Sequence, residues 1–467
     1  MKISTIAIST IVVLGVAATG GSWYSGKQVE EHYQEWVNHG NVTLKKLEFY
    51  GIQAEIKGVN LTRHFFSSDA TYTIEAKLAD ETYIFKGQDK LNHGPFPINR
   101  LLSGNLIPAM ASTESHISVP VQLSQYFSKD ELLSGTSTIS YDGTISGSVS
   151  SQPFSLSDAE GEVSEMNIDF TADKSGKTDL SFQLPSLKVD DEDKGFLEMQ
   201  NLSYAINFKY NEGYNFLTTG DSLLKIDSFT MQNEPQDDNI IKLNKLQVST
   251  ITELNGDRYD DKNQIETDLI IAQDGKDQKL GHLKIDGSLQ LDALSIEEYM
   301  SYFAQPDKIV SEEATNAAIK LFTKNPQLHI DEFSLENNSG KNNIALIMNL
   351  KDWDIDELQN IDLSDLFNLL VESKLNINID INSTKELISQ LMILDGVPES
   401  EVEDQAQSAI DNLLYQVNNS HYFMMDGNSV KMNAEIDQGR MILNGTPVSD
   451  EEVQGIILAL IFGLGML

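Results

Sequence analysis

The chain contains no cysteine, so no disulfide framework braces it and no thiolate can serve as nucleophile or metal ligand. Arginine is almost as scarce: Arg63, Arg100, Arg258 and Arg440 are all there are. With 33 Lys and Arg against 71 Asp and Glu, the formal net charge is −38. Nucleic-acid backbones and anionic bilayer surfaces would both repel such a chain, so no nucleic-acid partner is expected. The histidines, at positions 32, 39, 64, 93, 116, 282, 329 and 421, nowhere form His-x-x-x-His or His-Glu-x-x-His. No Gly-Lys-Ser phosphate loop or Gly-x-Gly-x-x-Gly turn is present. Asp352-Trp353-Asp354-Ile355-Asp356 starts like a calcium loop but lacks the glycine and distal glutamate that complete one. The sequence therefore nominates no catalytic, cofactor-binding or metal-binding residue, and an enzyme is not expected.

Long apolar runs are confined to the two ends. From Ile3 to Gly26 there is no charge, and the centre carries Ile6, Ile8, Ile11, Val12, Val13 and Leu14. As a helix, Ile3 to Gly21 would span roughly 28 Å, close to the ~30 Å hydrocarbon core of a bilayer. Lys2 precedes the run, Lys27 follows it, and Trp23-Tyr24 sits where interfacial aromatics belong. Residues 1–26 thus read as an uncleaved signal anchor, a single-pass helix that leaves the bulk of the chain exported. A cleavable signal ending near Val16-Ala17-Ala18 is the competing reading. At the other end, Ser449 and Glu452 make a capping-box pattern ahead of a tail containing Ile456, Ile457, Leu460, Ile461 and Phe462. This tail is shorter than the ~20 residues a membrane span needs. It is expected to be buried in the core, in an interface between copies, or against the membrane.

Between the ends the pattern is mostly that of strands. Ala70, Tyr72, Ile74, Ala76 and Leu78 alternate with polar residues, as do Leu202, Tyr204, Ile206, Phe208 and Tyr210, and later Leu283, Ile285, Leu289 and Leu291. From Ser295 the period lengthens, predicting amphipathic helices over Ile296–Phe303, Glu312–Thr323, Thr384–Leu394 and Ser400–Val417. The predicted class is α+β and β-rich: an anchor (1–26), a β-rich region (27–294) built on extended antiparallel sheet, and a mixed α/β region (295–467). Such sheets have one polar face and one apolar face that must be covered. Cover by a second sheet or by the later helices is the ordinary expectation. The alternative is an apolar groove that takes a lipid chain or a partner's strand, a pattern that resembles AsmA-like lipid-transfer proteins.

Four stretches carry a more specific resemblance. They are Gly20-Gly21-Ser22-Trp23-Tyr24-Ser25-Gly26-Lys27, the segment from Arg63 to Ser68 with Phe66 and Ser67, His93-Gly94-Pro95-Phe96-Pro97, and Leu106-Ile107-Pro108-Ala109-Met110-Ala111-Ser112. In order and spacing they resemble the YdgA-like family of Gram-negative envelope proteins, and Gly439 to Gly445 extends the likeness. Where the family typically has glycine after the arginine, this chain has His64. The resemblance implies an inner-membrane protein with its bulk in the periplasm, and allows a homodimer. The family's activity is unknown, so it transfers no catalytic residue. The expected function is that of a scaffold or binding protein with a lipid or envelope-protein partner. Lipid transfer along the sheet and an envelope hydrolase with a dispersed site are the alternatives.

Overall fold

In a computed structural model, the described residues are 52–449 together with 37–38, 41, 44–45 and 452–453. Within that range residues 79–80, 157–159, 192–194, 233–238, 274, 304–310, 355–366 and 421 are left aside. The candidate anchor and the apolar tail from Ile456 lie outside the described residues. No helix among the described residues is long and apolar enough to cross a membrane.

Among the described residues twenty-two strands form one sheet, and every pairing in it is antiparallel. The first group is β1 (Ile52–Arg63), β2 (Ser67–Leu78), β3 (Glu81–His93), β4 (Ala111–Ile117), β5 (Leu133–Ile139), β6 (Ile145–Ser151), β7 (Phe154–Leu156), β8 (Glu160–Val163) and β9 (Asn167–Ala172). Longer strands follow: β10 (Thr178–Asp191), β11 (Gly195–Tyr210), β12 (Thr218–Gln232), β13 (Asn239–Asn255), β14 (Arg258–Gln273) and β15 (Lys276–Asp292). The last are β16 (Gln327–Asn337), β17 (Gly340–Asn349), β18 (Ser373–Asp380), β19 (Met424–Asp426), β20 (Ser429–Asp437), β21 (Arg440–Leu443) and β22 (Thr446–Val448). Sequence neighbours pair almost throughout, as short turns between antiparallel strands favour. The exceptions are β6, which pairs with β9 while the β7–β8 hairpin adds to the far half of β10, and β18, which pairs with β20. Because β15 pairs with β16, the sheet runs without a break across residue 294.

Helices are few and mostly late: α1 (Ile98–Leu102), α2 (Ala293–Phe303), α3 (Glu312–Lys320), α4 (Ile381–Leu394) and α5 (Glu399–Asn419). Ser311 caps α3 by accepting from the Ala314 amide, with Glu312 and Glu313 in the first turn. Asp380 caps α4 in the same way, accepting from Ser383. At the end of the described chain the Ser449 amide donates to Glu452 at 3.0 Å, the reciprocal half of a capping box. The pair α2–α3 lies at one end of β14–β15, where the Ala293 amide bonds Asp257. The α4–α5 corner lies at the other end, where Gln273 donates to the Leu394 carbonyl and Lys276 pairs with Glu399 at 2.7 Å.

All the described strands belong to one hydrogen-bonded sheet, so any cover of its apolar face comes from the same sheet curling on itself, from helices or from loops. A sheet beyond about ten strands curls or splits. Here the first nine strands gather around one buried core containing Phe85, Ile74, Leu91, Ile117, Leu132 and Ile168. Val37 and Leu44 from the segment before β1 pack into the same core. A smaller core at the far end joins Met432, Ala434, Met441 and Leu443 with Val453.

Candidate functional site

Directly paired residues on neighbouring strands put their side chains on the same face. Followed strand by strand, one such row reads Val149, Ile168, Phe182, Tyr204, Leu224, Val248, Ile265, Ile285, Phe333, Ile344, Ile377, Met432. Every position on twelve strands is apolar or aromatic. At about 4.8 Å per strand the row is roughly 50 Å long. A second row runs beside it: Val163, Leu187, Met199, Phe229, Leu243, Leu269.

Burial along the first row is uneven. Val149 and Ile168 sink into the large core and Met432 into the small one. Between them Tyr204, Leu224, Val248, Ile265 and Ile285 are only half-buried, while Phe333 is 43 % and Ile344 37 % exposed. The opposite face is polar. Lys284 lies 3.0 Å from Glu332 and 4.0 Å from Glu266, and Lys341 also pairs with Glu332. Those bonds, with one from Ser334, hold the Glu332 carboxyl down at about 2. One sheet therefore separates an ion-paired face from a continuous, partly open apolar one.

The apolar face steps by three residues in β10, β11 and β12, where Leu184 and Leu187, Met199 and Leu202, and Ile226 and Phe229 pack on one core, and β13 carries a bulge between Asn244 and Gln247. Asn201 (φ 53°) and Lys245 (φ 55°) adopt left-handed geometry within β11 and β13. The Asn201 amide donates to Asp227 at 2.9 Å, and Lys245 lies 3.4 Å from Asp268. Asn tolerates this conformation better than most residues. The shift allows Met199 and Leu202, three apart, to pack against the same core.

Three of the segments that carry the family resemblance, Arg63 to Ser68, His93 to Pro97 and Leu106 to Ser112, meet at one end of β1–β4. The His93 amide donates to the Phe66 carbonyl and the Gly94 amide to Met110, both at 2.8 Å, while the Ala109 amide returns to Pro95 at 3.0 Å. The Gly94–Pro95 bond is cis. A Cβ on Gly94 would lie 2.1 Å from the Ala109 carbonyl oxygen, so only glycine fits this close approach. His64, in place of the family's glycine, has no left-handed φ; its ring meets Asp69 at 2.9 Å. The marker residues Arg63, Phe66, Ser67, Ser68, His93, Pro95, Phe96, Pro97 and Pro108 thus belong to two touching connections rather than to separate sites.

Ser68 Oγ and His93 Nε2 lie 3.0 Å apart. Desolvation holds the His93 imidazole below its usual range despite a bond to the Phe65 backbone. A hydroxyl beside a neutral imidazole has the parts of a nucleophile and its base. However, Ser68 is buried in β2, with β1 on one side and β3 on the other, and no scissile carbonyl can reach it. The pair pins the two connections together. Asp89 is a second perturbed group: burial pushes its carboxyl up to about 6, against hydrogen bonds from Ser115 and Tyr72. It is buried on β3, between β2 and β4. Among the described residues no group of three or more His, Asp or Glu side chains is placed to hold a metal ion.

The bacterial family of unknown function DUF945 matches residues 1–451. The chain belongs to that family. It is 25% identical to Protein YdgA of Escherichia coli strain K12 over 98% of this chain and 97% of that one. It is 22% identical to the uncharacterized protein YihF of the same organism over 96% and 97% respectively. An uncharacterized protein of Haemophilus influenzae is 31% identical over a quarter of this chain and 32% of its own. No solved structure matches. Membership in DUF945 accords with the resemblance read from the marker segments and brings no assigned activity. Sequence periodicity had marked some strands of the apolar rows, β11 and β15 among them. It could not align them, because the register depends on turn lengths and on the bulge at Lys245.

Proposed function

We propose that this DUF945 protein is a non-enzymatic, lipid-binding protein of the cell envelope. Residues 1–26 tether it to the inner membrane, its body lies in the periplasm, and acyl chains lie along the open middle of its sheet. The single observation behind this reading is the twelve-strand apolar row, closed at both ends, partly buried along its middle and exposed at Phe333 and Ile344. A scaffold alone has no need of it, since exposed apolar strips of this length carry a solvation penalty and invite aggregation. Each methylene laid along the row gains about 0.8 kcal/mol by leaving water. One leaflet accounts for half of the ~30 Å hydrocarbon thickness, so the row has room for more than one tail placed end to end. The polar face, with its Glu266, Lys284, Glu332 and Lys341 ladder, keeps the other side wetted.

Native mass spectrometry of the detergent-extracted full chain tests this. Bound masses in whole multiples of a phospholipid are expected. A Phe333→Asp, Ile344→Asp double variant, placed where the row is most exposed, should lose them with its thermal midpoint little changed. A lipid-free wild-type chain, or adducts that persist in the double variant, would overturn the reading.

A further inference from the structure

The net charge of −38 repels anionic surfaces as a whole, but one end of the molecule has the opposite character. The stretches Ile56 to Ser68 and Lys90 to Thr113 contain no Asp or Glu, although 71 of the 467 residues are acidic. These stretches supply the β1–β2 and β3–β4 connections, the two that hydrogen bonds of His93 and Gly94 tie together. At that tip the large apolar side chains point into solvent: Phe65 is 86 %, Leu102 83 %, Leu106 70 % and Ile107 69 % exposed. Phe66 stands edge-on to Phe65 with ring centroids 4.6 Å apart. Two of the four arginines of the chain, Arg63 and Arg100, lie beneath this crown, and Arg100 holds the loop by donating to the Ile107 carbonyl at 3.3 Å. Asp69, the first acid after the Ile56 to Ser68 stretch, is engaged by His64.

An exposed apolar patch of this size marks a binding surface. We propose that this tip docks on an anionic lipid bilayer, with Phe65, Leu102, Leu106 and Ile107 entering the interface and Arg63 and Arg100 meeting headgroup phosphates. The charge decides the occupant: an acid-free, arginine-bearing apolar crown on an otherwise acidic body complements anionic headgroups. Tip-to-tip pairing of two copies would bring like-charged arginines together, so self-association is the alternative to be excluded. The proposal uses none of the residues of the sheet rows and does not depend on lipid binding there.

The absence of native cysteine makes the test direct. The full chain in phosphatidylcholine nanodiscs carries a single environment-sensitive fluorophore at Leu102→Cys or, as control, at the exposed Tyr415→Cys on α5. Vesicles bearing a quenching lipid are then titrated in. Quenching at position 102 is expected at roughly tenfold lower lipid when phosphatidylglycerol is present than with phosphatidylcholine alone, with little quenching at 415. Arg63→Gln with Arg100→Gln should erase the phosphatidylglycerol preference. Phe65→Asp with Ile107→Asp should abolish quenching, whereas Phe333→Asp with Ile344→Asp should leave it unchanged. Equal quenching at both labels, none at 102, or a 102 signal that shifts with protein concentration before any vesicle is added would overturn the proposal; the last result would assign the tip to a second copy.

Discussion

The start of the sheet and its stretch at β16–β17 treat the same kind of apolar face in opposite ways. In β1–β9 the apolar face is closed: Phe85, Ile74, Leu91 and Ile168 lose essentially all contact with water. Leu184, Met199 and Ile226 carry that core on into β10–β12, yet at β16 and β17 Phe333 and Ile344 keep more than a third of their surface in solvent. The strands differ in length too, 4 to 13 residues for most of the first group against 14 to 17 for β10–β15. Shorter strands with loops, the Val121–Tyr126 turn and the segment before β1 bring cover for their own face. In the long meander the cover is incomplete at Phe333 and Ile344. An apolar face is therefore stabilising or available for binding according to what the topology lays on it, not according to its residues.

The largest expected effect breaks that comparison if it fails. Phe85→Ala in the closed region should cost about 3–5 kcal/mol, the range for emptying a packed aromatic site. Phe333→Ala in the open region should cost about 1 kcal/mol or less, because little burial is lost. Denaturant titration of both variants measures the contrast, and equal losses would mean that the middle of the sheet is as closed as its start.

Asp89→Asn gives the next largest change and sharpens the picture of the closed region. Burial raises this carboxyl from 3.8 to about 6, so the folded state binds its proton more tightly than the unfolded state does. Wild-type stability should therefore fall as pH rises from about 4 to about 6 and stay reduced above that. Asn carries no charge to desolvate, and at pH 7 the variant should be more stable by about 2–3 kcal/mol, an advantage that vanishes below pH 4 in thermal melts.

Glu332→Gln on the open region should act with the other sign and smaller size. Its carboxyl is lowered from 4.5 to about 2 by Lys341, Lys284 and Ser334, so its contribution is present above pH 4.5 and lost as pH falls toward 2. Partial exposure screens the pair, and a loss of about 1 kcal/mol at neutral pH is expected. Melts of wild type and variant should converge at low pH.

Much of this was legible in the residues. Period-two alternation marked β2, β11 and β15, and the lengthened period marked α4 and α5, because side-chain direction alone sets those patterns. The helix end at Ser449 was readable from local hydrogen-bonding chemistry. The phase of β11 was not. Leu197 and Met199 fall out of step with Leu202 and Tyr204, and only the left-handed Asn201 brings them to one face. The marker segments were visible as motifs, but nothing in their sequence showed that Phe66, His93, Gly94 and Met110 meet at a single tip.

By itself, then, the sequence determined composition-level facts: an acidic, cysteine-free, strand-dominated chain with late helices, whose apolar residues alternate in short range. These follow from local geometry, which each residue feels through its immediate neighbours. Tertiary structure alone decided which strands pair, that the apolar positions line up into rows roughly 50 Å long, and which part of that face is closed. It also decided that two acid-free loops share one exposed crown. Those outcomes depend on contacts between residues far apart in the chain, and pairing register is a property of two strands at once.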